Sequence, residues 1–507
     1  MASTATQQDA VHSKSLESLR CVRLDSQARI AAIFHDSTLD VKGTQTIRLN
    51  NHTIHQSKYS ASNFTMKVTS RGHRICVVFL YNEKPDHIAL HNHSVVPLSL
   101  LRLNDGDRKQ SSLQHEPTVI GPRDKIWLDI GYWRISSRHY ELMDLRCVPS
   151  TTVRLVTSAD GNSTPSSSTE KQPKLRAQLT SRAQELVLSS SALYRVTEIP
   201  MHIKVAIGYR DAQTSEDVTE SILTIHRKMD DVPGNACLYI VNLEQLPEGK
   251  SWQHIVLKNL KPEGVDPDDL DAIFKRAQGF EREVGHHKDL VHPKIVPFIH
   301  SDSRMMAIFI GLVPGSHLGT TDRMASESFR ANFNSGEVFR ILLDISSALN
   351  YMHNKNKLLH NDIKPSNIMY SDKHGATLID MGMACEIGKE AVLGAIDTPG
   401  AGHQRWSPAD LRDKRNRDKY TKARQSAKGW LGSLRETIDG IKSRDYRIRK
   451  GKKDENPELH RALLHLTIQM LSPNPEDRPD MCMVEERVKL IGVQHSQPIV
   501  PKVIKDA

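Results

Sequence analysis

The sequence predicts a multidomain fold, with an all-β sandwich on the N-terminal side and a larger α+β domain on the C-terminal side. Three observations carry this. The chain has 507 residues, while single domains commonly run to about 100–200. Residues 149–173, PSTTVRLVTSADGNSTPSSSTEKQP, are too rich in Ser, Thr and Pro to bury enough apolar surface for ordering. Before that stretch short strand-like runs dominate, and after it helical and strand-like periodicities alternate.

Taken in order, residues 1–19 carry no apolar segment and read as a disordered N-terminus without a signal peptide. Residues 20–148 contain ARIAAIF, NFTMKV, RICVVFLY, HIALHN and DKIWLDIGYWRI, β-branched or aromatic runs separated by turn residues, which predict the sandwich. Residues 149–228 form a linker and an ambiguous region. Within it RAQLTSRAQELVLSSSAL has helical periodicity and MHIKVAIGYR alternates as a strand does. The second domain follows this region, and 491–507 is a tail.

Composition narrows the function classes. The six cysteines, at 21, 76, 147, 237, 385 and 482, lack the paired spacing of a zinc site and suit reduced thiols. No apolar run reaches the ~18 residues of a membrane span. An intracellular protein, cytoplasmic or nuclear and without a membrane partner, is expected. Between Arg412 and Lys453 stand 16 Lys and Arg against 5 Asp and Glu, a local net of +11 beside +9 for the whole chain. A patch of that sign could dock acidic substrates or nucleic acid. No nucleic-acid signature accompanies it, so a solvated basic face is the expectation.

The chemistry concentrates in LLHNDIKPSNIMYSDKHGATLIDMGM, residues 358–383. Phosphoryl transfer needs a carboxylate to orient the attacking hydroxyl, a cation on the transferring phosphate and oxygen ligands for magnesium. Asp362, Lys364, Asn367 and Asp380 supply that set in order. Singly, each is an ordinary loop residue. Together, flanked by the strand-like runs NIMY and ATLI, they point to the reaction.

These residues resemble the signature of the eukaryotic protein kinase family, and Lys364-Pro365 resembles its serine/threonine branch. The resemblance implies a bilobal kinase domain over 229–490, with lobes at 229–312 and 313–490, and ATP and Mg2+ as cofactors, with Asp362 as base, Lys364 on the γ-phosphate, and Asn367 and Asp380 holding metal. It extends to Lys258 at the end of the run HIVLK, which would grip the α- and β-phosphates, and to Glu283, which lies nine residues before His292-Pro293 and would anchor that lysine. AIFIGLVPGSHL resembles the hinge, with Ile310 as gatekeeper and the backbone of Gly311 to Val313 facing adenine. Thr398, in Thr398-Pro399-Gly400, would hydrogen-bond Asp362 and Lys364, and LTIQMLSPNPEDRPDM carries the family's late arginine as Arg478.

Departures accompany these matches. The Gly-rich loop retains one glycine, Gly234, in DDVPGNACLYIV; Ser407-Pro408-Ala409 replaces Ala-Pro-Glu, with Asp410 one residue on; and Lys428 stands near a helix aspartate's place. Asn361 replaces the arginine that clamps a phosphorylated activation loop, so activity should not depend on that switch. In the first domain, Ser70-Arg71-Gly72-His73, Asn92-His93-Ser94 and Asp124-Lys125-Ile126-Trp127-Leu128 resemble a forkhead-associated (FHA) domain, which implies a phosphopeptide partner. A plain structural or partner-binding sandwich is the alternative. The function these features imply is a serine/threonine protein kinase transferring the ATP γ-phosphate to protein hydroxyls. The alternatives are a catalytically inactive scaffold binding partners through both domains, and a nucleic-acid-associated factor.

Overall fold

In a computed structural model the described residues are 14–24, 28–35, 39–57, 65–70, 75–81, 87–103, 116–138, 140–148, 153–156, 186–188, 203–210, 217–229, 236–244, 251–260, 269–303, 306–320, 324–325, 330–331, 333–387, 456–470 and 477–495. They form two compact units. One holds the described residues up to Glu281 together with Ile299–Ile310, and the other holds Arg282–Phe298 and the described residues from Gly311 onward.

The first unit begins with a helix, α1 (residues 14–21), inside and just beyond the stretch that composition assigns to disorder. Twelve strands follow: β1 (Ile30–Phe34), β2 (Leu39–Lys42), β3 (Thr44–Leu49), β4 (His52–Ser57), β5 (Thr65–Ser70), β6 (Cys76–Tyr81), β7 (His87–Asn92), β8 (Leu98–Leu103), β9 (Thr118–Ile120), β10 (Lys125–Asp129), β11 (Gly131–Ser136) and β12 (Glu141–Cys147). They build one sheet in the order β3-β4-β1-β12-β11-β8-β9 and a second in the order β10-β7-β6-β5-β2. The N-terminal region is therefore all-β in its sheets, as the strand-like runs predict.

Burial explains the layering. Leu19 of α1 and Val22 just after it pack with Ala31, Ile33, Ile54 and Tyr132 on one face of the first sheet. Ile30 and Ala32 alternate with those residues and are also fully buried, so β1 is covered on both faces. Arg29 donates from Nη2 to the His87 carbonyl at 3.5 Å, and Arg102 lies 3.6 Å from Asp129; both contacts link strands of the two sheets. Asn92, fully buried, donates to the carbonyls of Val96, Ile120 and Gly121, while Ser94 Oγ bridges the backbone N–H and C=O of Cys76. The polar atoms of the Asn-His-Ser turn are thus committed to holding strand ends. Arg71 to His73 lie outside the described residues.

A third sheet follows in the order β14-β13-β15-β16-β17-β18-β20-β19, built from β13 (Val153–Val156), β14 (Leu186–Leu188), β15 (Ile203–Arg210), β16 (Asp217–Lys228), β17 (Ala236–Glu244), β18 (Trp252–Leu260), β19 (Phe298–Asp302) and β20 (Ala307–Ile310). Four of these strands fall within 149–228, the segment expected as linker. β15 is the strand that MHIKVAIGYR predicts, whereas Leu186–Leu188 is a strand inside the stretch read as helical. Its partner is Val153–Leu155, more than thirty residues away in the sequence, and local periodicity carries no trace of such a partner. β16 pairs antiparallel with both β15 and β17, so the sheet begins upstream of residue 229. Helix α2 (Leu270–His287) follows β18 in the chain.

The second unit centres on α3 (Ser335–Asn350), opened by a capping box in which Asn334 and Glu337 satisfy each other's backbone N–H groups. One side of α3 packs on the hairpin of Ile368–Ser371 and Gly375–Leu378; the other packs on α4 (Pro457–Met470) and α5 (Met481–Gln494). Buried Asp344 of α3 accepts from Ala376 N–H at 2.8 Å and meets Lys294 Nζ at 3.0 Å, fixing the hairpin. Gly375 makes this possible: its φ is +76°, and a Cβ there would lie 2.2 Å from Asp344 Oδ2. No described helix is long and apolar enough to cross a membrane.

The best-defined polar knot of the first unit is Asp144 on β12. Burial by itself raises its pKa, but hydrogen bonding with His35, Arg134 and Ser15 outweighs it, and the carboxyl is held well below its usual range. Ser15 of α1 donates at 2.6 Å, Arg134 Nε donates at 2.7 Å, and His35 Nε2 lies 3.3 Å away. Asp144→Ala should therefore destabilise the protein by about 1–3 kcal/mol in urea unfolding, because buried Ser15 loses its acceptor and part-buried Arg134 is left with Glu141 alone, at 3.1 Å. The folded pKa lies below the unfolded value of 3.8, so the contribution is complete above that pH and is lost progressively as pH falls below it.

Candidate active site

Asp362, Lys364, Asn367 and Asp380, four of the residues expected to serve phosphoryl transfer, lie near one another in the second unit. The loop from His360 to Asn367 follows the short strand Leu358–Leu359 and ends in the one-turn helix Pro365–Asn367, which leads directly into Ile368–Ser371. Asp362, 7% exposed, takes two donors on its Oδ2: Lys364 Nζ at 2.7 Å and Asn367 Nδ2 at 2.9 Å. Asn367 Nδ2 also donates to the Asp362 backbone carbonyl at 2.9 Å. Three residues predicted from spacing alone are thereby one hydrogen-bonded unit.

Asp380 is joined to that unit through backbone. Ile379 N–H donates to the Asn367 carbonyl at 2.9 Å, and the imidazole of His360 reaches the Ile379 carbonyl at 3.1 Å. Burial lowers the His360 pKa, so the ring is neutral. Its Nδ1 accepts from Asp362 N–H at 3.3 Å, which leaves Nε2 to donate to Ile379. One buried ring thus fixes the backbone of both carboxylates. Asp380 itself sits at φ +67° and its Oδ1 accepts from Gly382 N–H at 3.2 Å, while Met381 between them is fully buried in the hairpin core.

The C-terminal end of α2 reaches the same turn. Arg282 Nε donates to the Gly382 carbonyl at 3.0 Å, and Glu283, 4% exposed, has its Oε2 3.2 Å from where a Gly382 side chain would begin. A Cβ at 382 would crowd that carboxylate, which would have to give way by a few tenths of an ångström. Arg282 has no signal in the sequence beyond its adjacency to Glu283.

Asn361, which replaces an arginine in the resemblance, adopts φ +62° and donates from Nδ2 to Met383 O at 3.3 Å and Cys385 Sγ at 2.8 Å. Leu358–Leu359 pairs with Cys385–Glu386 beside it. The chain leaving Gly382 is therefore tied down by an uncharged side chain and a two-residue ladder. Of the hinge residues, Gly311 uses its N–H on the Pro297 carbonyl at 2.9 Å, which removes one of the adenine-facing groups expected there. Ile310 closes β20, and Val313 is half-buried in the extended segment that follows. Gly315 then turns at φ +102°, where a Cβ would lie 2.1 Å from Tyr370 O, and lets Ser316–His317 pair onto the hairpin.

Lys258 lies in β18 between Leu238 of β17 and Ile308 of β20, a central strand position in the first unit. Gly234, Thr398, Ser407 to Asp410, Lys428 and the basic segment Arg412–Lys453 lie outside the described residues. For a divalent cation the donors fit. Asn367 spends its amide nitrogen on Asp362, leaving its oxygen as a ligand, and the Asp380 carboxylate stands at the end of the paired strand that carries it. Two hard oxygens of this kind could hold a divalent cation whose other positions are filled by phosphate and water.

Comparison with known proteins agrees with the chemistry. A family model for the protein kinase domain matches residues 248–407. The chain is 27% identical over 221 residues to serine/threonine/tyrosine-protein kinase HT1 of Arabidopsis thaliana, covering 41% of this chain and 53% of that protein. It is 32% identical over 154 residues to calcium-dependent protein kinase 5 of Plasmodium berghei (strain Anka), covering 29% and 26% respectively. It is 24% identical over 294 residues to the protein SUPPRESSOR OF NPR1-1 CONSTITUTIVE 4 of Arabidopsis thaliana, covering 52% and 25%. The chain thus spans about half the length of the first of these relatives and about a quarter of the other two. Downstream of a sheet-rich N-terminal region, this chain carries a protein kinase domain.

Proposed function

We propose that the domain is catalytically active and transfers the ATP γ-phosphate to serine or threonine hydroxyls of proteins. The observation that carries this reading is the unit formed by Asp362, Lys364 and Asn367. A scaffold that only bound partners would need neither the buried carboxylate nor its two donors held at 2.7 and 2.9 Å.

In this reading Asp362 accepts the proton of the attacking hydroxyl. Its Oδ2 is occupied by Lys364 and Asn367, which orients the carboxylate for that task. Lys364 stands where it can share its charge between Asp362 and the γ-phosphate, and Thr398 is the substrate-side hydrogen-bonding partner of both. Asn367 and Asp380 hold Mg2+, which when bound offsets the negative charge on the phosphate oxygens. Lys258 grips the α- and β-phosphates with Glu283 as its anchor, and Gly234, Gly311 and Val313 contribute backbone around the nucleotide. The FHA resemblance supports a protein or phosphopeptide partner for the N-terminal domain. For the chain as a whole, an intracellular location fits dispersed thiols and the absence of a spanning helix among the described residues.

Purified protein with Mg-ATP should label itself or a generic basic substrate. Asp362→Asn should lower that rate by about a hundred- to ten-thousandfold, and Asp380→Asn should lower it comparably with a raised requirement for magnesium. Equal labelling by wild type and both variants would sink the enzyme reading in favour of the scaffold.

Asn361 generates a separate expectation. Asn361→Gly keeps the left-handed backbone and removes the ties to Met383 and Cys385, whereas Asn361→Ala also strains the backbone, adding about 1–2 kcal/mol of destabilisation in thermal unfolding. Because the segment is held without a phosphate, prior phosphatase treatment should leave the wild-type rate unchanged. A rate that collapses on dephosphorylation would refute this.

A further inference from the structure

Helix α2 is buried on two sides. Ile273, Arg276, Phe280, Glu283, Val284 and His287, at helical spacing, are each no more than 8% exposed. A second stripe of Asp271, Phe274, Ala277, Gln278 and Glu281 lies on another face, where Phe274 and Ala277 are also buried. A helix in an ordinary surface position has one such stripe. The cover for the second comes from the N-terminal domain.

The cover has a defined register. Lys67 of β5 stands opposite Val78 of β6, Val78 opposite His91 of β7, and His91 opposite Lys125 of β10. Directly opposed residues share a face, so these four side chains form a row across four strands. Along the helix, Lys125 ion-pairs with Asp271, the His91 ring meets Phe274 edge-on at 5.1 Å, and Lys67 pairs with Glu281 at 3.1 Å. Between them, Val78, Ala277 and Gln278 line a cavity of about 230 Å³. The dimensions agree: the helix rises about 15 Å from Asp271 to Glu281 at ~1.5 Å per residue, and four adjacent strands span about 14 Å at ~4.8 Å per step. A lysine at each end of the row and an acid at each end of the stripe fix how far the helix can slide.

We propose that this row is a docking surface within the chain, through which the N-terminal domain holds α2 and so sets the output of the kinase site. The next two residues after Glu281 are Arg282, bound to the Gly382 carbonyl, and Glu283, packed beside Gly382. A displacement of the stripe is therefore a displacement of the groups that hold the Asp380-Met381-Gly382 turn. Lys67 and Lys125 act here as positioning residues, and the proposal rests on the reading of that site as an active kinase.

The test uses the full chain with Lys67→Glu and Lys125→Glu combined, and then the same pair with Asp271→Lys and Glu281→Lys to restore opposite charges. The sheet variant should lower kcat/KM by about tenfold, within the range of coupling between sites, and should raise hydrogen exchange in the peptides covering α2 and residues 380–382. The four-residue swap should recover most of both. Loss without recovery, or unchanged exchange in α2, would overturn the docking role. A wild-type chain that transfers no phosphate would instead sink the active-kinase reading and the claim on its output. The exchange arm would still decide whether the row holds the helix.

Discussion

The position of one carboxylate constrains the rest of the candidate site. Asp362 is buried, and a buried carboxylate without donors destabilises the fold. Lys364 and Asn367 supply those donors from residues two and five further on, which the one-turn helix Pro365–Asn367 brings back toward Asp362. That turn requires the following strand to start at Ile368, and the strand requires its hairpin partner. The hairpin in turn delivers Asp380. The neutral ring of His360 closes the circuit by bonding to the backbone on both sides of it.

Beneath this circuit, α3 supplies rigidity by burying two different faces. Its hairpin side is specified by Asp344, Lys294 and Gly375, and its far side by packing of Phe339 and Leu343 against α4 and α5. Helix α2 is confined in a comparable way within the first unit, by a sheet that precedes the kinase domain in the chain. Each helix is thus held by contacts with elements far from it in sequence.

Much of this was legible in the sequence, and what escaped has a physical reason. Asp362, Lys364, Asn367 and Asp380 sit within a short stretch whose geometry is set locally, so spacing alone finds them. The strands β1, β5, β6, β7, β10 and β11 coincide with the apolar runs that predict them. β3 and β4 carry Thr, Gln, His and Ser at half-buried or buried positions and lack such contrast. Helix α1 escaped because its two buried apolar contacts lie in an otherwise polar segment, and β13 to β16 because their pairing partners are remote. The Lys67–Val78–His91–Lys125 row is invisible for the same reason. Its members become neighbours only when the register of four strands is known.

One feature of the third sheet bears on handling the domain in isolation. β16 hydrogen-bonds β15 along one side and β17 along the other. Excision at residue 229, the boundary that composition suggests, would remove β16 and leave the nine residues of β17 as a bare edge. Such an edge presents unpaired N–H and C=O groups beside buried apolar side chains and templates aggregation. Proteolytic trimming that spares Asp217 would leave β16 in place to cap β17, so the solubility of a fragment would report on which side of that strand the chain was cut.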